Sequence, residues 1–504
     1  MLIPMVRPYR SSRKPWELFQ TLYAQDTHAF FLDSHSYQPP NQAFSYLGSW
    51  PFLKLTVRQD KIYLERESGR RVLPASGLLK LLRQLFKRYQ STASPCRPFF
   101  TGGAVGYWGY ELAGFFEKIR FRKKTDPGLP LLALGFYRDM MVYDHARRHY
   151  WLVTHVAARR KLPLRDLKRL AEPAWCRLEL SIDKKAEDGP ALRVKSRRDR
   201  FHLKNFRPEI TKGRFMHMVR RAKDYIRAGD IYQANLSQRF AFGYRGSPLM
   251  LYDRLRTINP SPFSSLLKFG DLHLVSSSPE RLVLKQGRLC ETQPIAGTRP
   301  RREHAKNERM LLAELKHNEK ERAEHIMLVD LERNDLGRVC LWPTVRVRQM
   351  MQVEKYSHVM HLVSRITGHM QKNKDALDLI GAMFPGGTIT GCPKIRCMEI
   401  IDELEPVRRG VYTGSIGYLG FNGDLDLNIV IRTLVLNKQR GYLQVGAGIV
   451  HDSDPAREYE ETLHKGEALT EALVQASTAL RLSRRDYHVQ HRVPAKSKRT
   501  RCSL

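Results

Sequence analysis

The sequence predicts a mixed helix-and-strand protein, rich in antiparallel hairpins and built as one large intertwined body. Short alternating apolar runs separated by turn residues fill the first 200 residues, and helix-like and strand-like segments interleave from there to about Ala479. Taken in order, PFLKLTVRQDKIYLERES (51–68) and LPLLALGFYRDMMVYDHARRHYWLVTH (129–155) read as strands and hairpins, because apolar side chains alternate with polar ones at the two-residue period of a pleated strand. Between them, PFFTGGAVGYWGYEL (98–112) is too irregular for a dinucleotide-binding glycine loop. A polar, basic interval from about Ile182 to Pro208 marks a linker, so the chain divides into a β-rich region 1–182, a linker 183–208, a second region 209–479 and a basic tail 480–504. The tail, RLSRRDYHVQHRVPAKSKRTRCSL, has too little apolar surface to offset chain entropy and is expected to be disordered. No repeat of fixed period is present.

Composition narrows the functional classes. Hydrophobic residues make up 42% of the 504, enough for a sizeable core, and no run approaches the roughly 18 to 20 apolar residues of a membrane helix. The opening MLIPMVRPYRSSRKPWELF lacks the apolar stretch of a secretory signal, so a cytoplasmic address is expected. Seven cysteines, at 96, 176, 290, 340, 392, 397 and 502, are odd in number and form no CxxC pair. They argue against a disulfide framework or a zinc site and are expected to be reduced and packed. The net charge of +35 could advertise a polyanion partner. Much of the excess, however, lies in Lys118–Lys124, Arg159–Arg169, Lys195–Lys212 and the tail, and no helix-turn-helix, zinc-finger spacing or RNP-like aromatic string accompanies it. A basic nucleic-acid-binding protein is the alternative of another class, and a solvated basic surface is preferred to it.

Chemistry concentrates in a few segments. FPGGTITGCPKIRCMEIIDELEP (384–406) is a glycine-rich turn that is expected to deliver Thr388, Thr390 and Lys394 to the mouth of a helix opening near Pro393, an arrangement suited to an anion. It is not a nucleotide P-loop, because Gly386 and Gly391 run into Cys392-Pro393-Lys394 rather than directly into Lys-Ser/Thr. In AREYEETLHKGEALTEAL (456–473), helical steps of three and four put Glu458, Glu461 and Lys465 on one face. A second helix, expected from about Glu308 to Asp335, carries Glu321 and Glu324 on one face. Paired carboxylates invite a cation, while exposed helices with surface ion pairs are the plainer alternative.

The glycine-rich segment resembles the chorismate-utilising enzymes, and within them the aminodeoxychorismate synthase branch. Further blocks carry the resemblance: GDIYQANLSQRF (229–240), SSSPERL (276–282), QPIAGTRPR (293–301), RAEHIMLVDLERNDLGRV (322–339), YSHVMHLVS (356–364), GSIGYLGFNGDLDLNIVIRT (414–433) and GAGIVHDSDPAREYEETLHK (446–465). The resemblance implies an α+β fold with two large, mainly antiparallel β-sheets packed together and helices outside. It implies Mg2+ as cofactor, with Glu324 and Glu461 as principal ligands and Glu321 and Glu458 as supporting acids, consistent with the hard oxygen ligands magnesium prefers. Glu280 matches the general acid that protonates the departing C4 hydroxyl, which requires a carboxyl kept protonated near neutral pH. His361, rather than nearby His358, matches the histidine lining the ring face. Gly297, Thr298, Thr388, Tyr412, Arg432, Gly448 and Lys465 match substrate-contacting positions. Arg432 can grip a carboxylate bidentately and Lys465 supplies a point charge. For a dianionic substrate, the positive field of the chain would also raise encounter rates.

Within the family, Gln233 implies ammonia as nucleophile. Isochorismate-forming and salicylate-forming members carry a lysine there to activate water, and a neutral amide cannot act as that base. None of the cysteines lies in a Gly-x-Cys-x-Gly turn, so a separate glutamine amidotransferase (glutaminase) subunit is the implied partner. Gly387, Ile389, Thr390, Cys392, Ser415 and Ile416 side with amination at C4. Ala296 departs from those C4-aminating members that carry a lysine there, and it matches anthranilate synthases, which are the alternative. FFLDS (30–34) places Asp33 where anthranilate synthases have the glutamate of a tryptophan-binding element, which weakens the expectation of such a pocket.

Overall fold

The computed structural model describes residues 1–34, 44–91, 99–122, 129–158, 162–187, 206–300, 310–311, 313–314, 318–355 and 359–478. Two antiparallel sheets, each of twelve strands among the described residues, dominate it. The first runs in the order Leu2–Tyr9, His149–Ala157, Met140–Asp144, Phe44–Ser49, His28–Asp33, Phe263–Phe269, Leu272–Ser278, Thr433–Asn437, Arg440–Ile449, Gln233–Gly243 and Arg207–Pro208, with Gly391–Cys392 also paired to Gln233–Gly243. The second runs Ile295–Pro300, Val359–His369, Leu289–Gln293, Arg281–Gln286, Leu425–Asn428, Ser415–Gly420, Gly103–Trp108, Leu132–Tyr137, Leu53–Arg58, Lys61–Arg66 and Gly69–Pro74, with Arg346–Lys355 beside Val359–His369.

Local sequence accounts for the strands. Leu53, Leu55 and Val57 are buried while Lys54, Thr56 and Arg58 face outward, the alternation of a one-sided strand. The segment 129–155 divides between the sheets: Leu132–Tyr137 joins the second, and Met140–Asp144 and His149–Ala157 join the first. Early and late parts of the chain share both sheets, because His28–Asp33 pairs with Phe263–Phe269 and Gly103–Trp108 with Ser415–Gly420. In the latter ladder Gly106 faces Gly417. A Cβ on Gly106 would stand 1.9 Å from the Ala133 carbonyl oxygen, so the glycine-rich stretch Gly103–Trp108 is a strand approached closely by its neighbours.

One apolar cluster joins the facing sides of the sheets, drawing Phe30, Val142, Leu267 and Leu274 from the first and Val105, Tyr107, Ala133 and Tyr137 from the second. The outer faces are closed by helices. Pro455–Thr478 packs on Arg440–Ile449 and on helix Pro248–Ile258, burying Leu469, Ala472 and Leu473. Glu319–Gly337 packs on Val359–His369 and Ile295–Pro300, burying His325, Leu328, Val329, Glu332 and Leu336 at helical spacing. Within the span expected to be one helix from about Glu308, residues 310–311 and 313–314 are also helical, and Glu319–Gly337 starts afresh after them. The Asn318 side chain caps it by accepting from the Glu321 N–H at 3.0 Å, and residue 308 lies outside the described residues. The expected linker is also shortened, since helix Leu164–Glu187 runs into it and Arg207–Pro208 forms a strand. Residues 188–205 and the tail from 479 lie outside the described residues. Among the described residues no helix is long and apolar enough to cross a membrane. Cys176, Cys290, Cys340, Cys392 and Cys397 are free thiols, and Cys96 and Cys502 lie outside the described residues.

Candidate active site

A cavity of about 600 Å³ opens where strands of both sheets end against two helices. Strand Gln233–Gly243 supplies Gln233, and Arg440–Ile449 beside it supplies Gly448. From the second sheet come Ala296 and Gly297 on Ile295–Pro300 and His361 on Val359–His369. Glu280 occupies the turn between Leu272–Ser278 and Arg281–Gln286, and Thr388, Tyr412 and Arg432 come from connecting segments. Helix Glu319–Gly337 contributes Glu321 and Glu324, and helix Pro455–Thr478 contributes Glu458, Glu461 and Lys465. Thirteen of the fourteen site residues read from the sequence therefore line one cavity. The fourteenth, Thr298, stands on its strand directly opposite His361 in the ladder.

Glu280 is 6% exposed, and burial pushes its carboxyl up to about 7. The Thr388 hydroxyl, the Ile295 N–H, Arg432 and Lys465 all oppose that rise without cancelling it. Desolvation is thus the dominant influence, and it yields a carboxyl that can carry a proton near neutrality. His361 is 2% exposed, its Nδ1 lies 3.4 Å from the Gly297 carbonyl oxygen, and burial, reinforced by Arg432, lowers it to about 4. At neutral pH it is an uncharged ring. Arg432 has a backbone φ of 49°, a left-handed conformation that costs a non-glycine residue energy and recurs where a side chain must be aimed at a site. Burial lowers its pKa, and Glu280 opposes that shift.

Four carboxylates from the two helices line the same cavity. Glu324 Oε1 accepts from Gln233 Nε2 at 2.8 Å, and Glu461 Oε1 is 2.7 Å from Lys465 Nζ, which also donates to the Gly446 carbonyl at 3.1 Å. No three His, Cys, Asp or Glu residues among the described ones converge into a ready-made cage. An all-oxygen donor set beside an open cavity nevertheless suits a hard divalent cation that keeps waters and bridges to a ligand's own oxygens. A Cβ at Gly448 would stand 2.6 Å from Gln233 Nε2, so any other residue there would displace that amide.

Two expectations need correction. Of the residues expected to meet an anion on the glycine-rich turn, only Thr388 reaches the cavity. Thr390 is buried and donates to the Gly386 carbonyl at 2.8 Å, satisfying the turn's own backbone. Lys394 is buried in an ion pair with Asp335 and donates to the Met383 carbonyl at 3.2 Å, because an ammonium at 9% exposure needs a fixed counter-charge. Asp33 likewise serves the structure, since its carboxylate accepts from Tyr252 Oη at 3.0 Å and Arg256 Nε at 2.9 Å, beside a separate cavity of about 440 Å³. Sequence reasoning also missed two residues. Asn235 lines the main cavity two positions after Gln233, and the two-residue strand period could have revealed it. Glu332, on the cavity helix Glu319–Gly337 itself, is buried, accepts from Thr292 Oγ1 at 2.7 Å and is raised to about 8, chiefly by burial.

Comparison with known proteins follows the same lines. A family model described as chorismate binding enzyme matches residues 36–471. Aminodeoxychorismate synthase component 1 of Bacillus subtilis (strain 168) is 43% identical over 395 residues, covering 78% of this chain and 82% of the relative. Anthranilate synthase component 1 of Acetivibrio thermocellus is 37% identical over 477 residues, covering 94% and 96%. The crystal structure of anthranilate synthase component I from Streptococcus pneumoniae TIGR4 superposes with a TM-score of 0.72 at 35% identity, covering 86% of this chain and 93% of that one.

Proposed function

Because this chain belongs to the chorismate binding enzyme family, we propose that it aminates chorismate at C4, giving 4-amino-4-deoxychorismate, the precursor of para-aminobenzoate and folate. Gln233 carries the proposal. A neutral amide on the cavity wall, its N–H2 held by Glu324, has no lone pair basic enough to activate water, whereas ammonia arrives already nucleophilic. The relative from Bacillus subtilis and the C4-type residues of the glycine-rich turn support the choice of carbon.

In this scheme Glu280 gives its proton to the C4 hydroxyl, which leaves as water as the C4–N bond forms, and the nitrogen sheds one proton to restore the neutral amine. His361, uncharged, packs on the ring face. Arg432, Lys465 and the backbone around Gly448 hold the carboxylates, while Thr388 and Tyr412 orient the ring. Glu324 and Glu461, supported by Glu321 and Glu458, would hold Mg2+, which when bound supplies charge neutralisation for a substrate carboxylate. Ala296 offers no amine to C2, so no enzyme-linked adduct forms from that position. A partner subunit that hydrolyses glutamine is proposed as the ammonia source, in keeping with the "component 1" names of the relatives.

A second possibility rests on that same Ala296 and on the anthranilate synthase relatives: amination at C2 with loss of pyruvate. Purified protein given chorismate, magnesium and ammonium distinguishes the two. Aminodeoxychorismate without pyruvate is the expected product, and anthranilate with stoichiometric pyruvate would replace the first proposal by the second.

A further inference from the structure

Gln233 and Asn235 are two apart on one strand, so their side chains emerge on the same face, and both line the cavity. The Gln233 amide is fixed in orientation, since its Nε2 donates to Glu324 Oε1 at 2.8 Å and its carbonyl oxygen must point elsewhere. That oxygen is buried and, among the described residues, accepts no hydrogen bond. Asn235 Oδ1 is buried and unpartnered in the same sense. Buried acceptors are nearly always satisfied, so two of them side by side on a cavity wall point to a ligand that brings donors.

The neighbouring strand is packed closely against both amides. A Cβ on Gly446 would stand 2.7 Å from both Asn235 Oδ1 and Tyr412 Oη, and one on Gly448 would meet Gln233 Nε2 at 2.6 Å. Any side chain at those positions would collide with the amides and push them out of place. Glycine lets both amides keep their places on the cavity wall.

We propose that the carbonyl oxygens of Gln233 and Asn235 form the subsite for the amine donor, free ammonia; this rests on the ammonia-using function argued above. Ammonia donates one N–H to each oxygen, and its lone pair is left to face the ring. The neutrality of both acceptors is essential. A carboxylate in the same place would bind ammonium by preference and withhold the lone pair, whereas an amide oxygen holds the neutral molecule without drawing a proton to it. Water can occupy the subsite with the same two bonds but stays unreactive, because neither amide can take its proton.

The test varies ammonium chloride at saturating chorismate and magnesium and follows chorismate consumption, so it does not depend on which carbon is aminated. Asn235→Ala is expected to raise the KM for ammonium at least tenfold while moving the KM for chorismate less than threefold. Asn235→Asp is expected to lower kcat at least tenfold and to displace the rate profile to higher pH. Asn235→Thr, which suits a strand and places its hydroxyl short of the ligand, is expected to behave as the alanine variant does and guards against a folding defect in one substitution. An alanine variant with the wild-type KM for ammonium, or equal rises in both KM values, overturns the subsite. A wild-type enzyme that consumes chorismate without any ammonia dependence overturns the parent proposal along with it.

Discussion

Replacing Glu280 by Gln should stabilise the fold at alkaline pH while abolishing turnover, and the size of the gain follows from the environment of the carboxyl. Burial raises it from 4.5 to about 7. A shift of roughly 2.5 units at about 1.4 kcal/mol each corresponds to about 3 kcal/mol. The folded protein binds this proton more tightly than the unfolded chain does. Stability from this residue is therefore fully present below about pH 4.5, declines as pH rises and is lost on passing about 7. Glutamine keeps the shape and has no proton to lose. In urea unfolding with magnesium chelated, E280Q minus wild type should grow by about 3 kcal/mol between pH 4.5 and pH 8.5. Glu332, raised to about 8, largely cancels in that difference, because Glu280 is the smallest of the influences on it. The same residue sets the rate. Wild-type kcat/KM should fall along an alkaline limb centred near 7, and E280Q should lose about 10²- to 10⁴-fold. A stability difference independent of pH would refute the protonated-carboxyl argument, and a flat wild-type profile from pH 6 to 8.5 would remove Glu280 as the acid.

Glu324→Gln and Glu461→Gln should each remove most activity and raise the magnesium requirement sharply with the fold intact, checked by titrating magnesium against rate; wild-type rate at limiting magnesium in either variant would dismiss the cation site. Lys394→Met leaves Asp335 buried without its counter-charge and should cost about 3 to 5 kcal/mol in urea unfolding, most of it recovered when Asp335→Leu is added. Ala296→Lys should give a chorismate adduct visible by intact-protein mass spectrometry, with none on the wild type; an adduct on wild-type Lys465 would make that residue a nucleophile.

How far these features were legible in the sequence depended on whether the cause was local. The alternating run 51–68 determines which face of its strand is buried, and the spacing of Glu458, Glu461 and Lys465 determines a shared helix face. The assignment of Leu132–Tyr137 and Met140–Asp144 to different sheets was not legible, since both segments are apolar and the choice is made by partners distant along the chain. The fresh helix start at Asn318 also escaped: the amphipathic pattern runs on past it, but only geometry shows that its side chain accepts from the Glu321 N–H. Lys394 failed differently. A lysine after a glycine-rich turn suits an anion, yet its ammonium is buried against Asp335 on another helix, a tertiary pairing that no spacing along the chain encodes.

Glu280 and Glu461 show what residue type alone leaves open. Both are glutamates on the wall of one cavity. Glu280 is 6% exposed in a turn between strands, where loss of water outweighs the attraction of Arg432 and Lys465 and pushes its carboxyl up to about 7, so that it can carry a proton near neutral pH. The Glu461 side chain is half exposed on a helix, with an ammonium at 2.7 Å. One environment suits a proton donor and the other a ligand for a cation or a cationic side chain. A resemblance can assign the two roles by position. The dielectric difference between a strand-end turn at the meeting of the sheets and the solvent-facing turn of a helix is what makes each role chemically available, and exchanging the two residues' surroundings would exchange their roles.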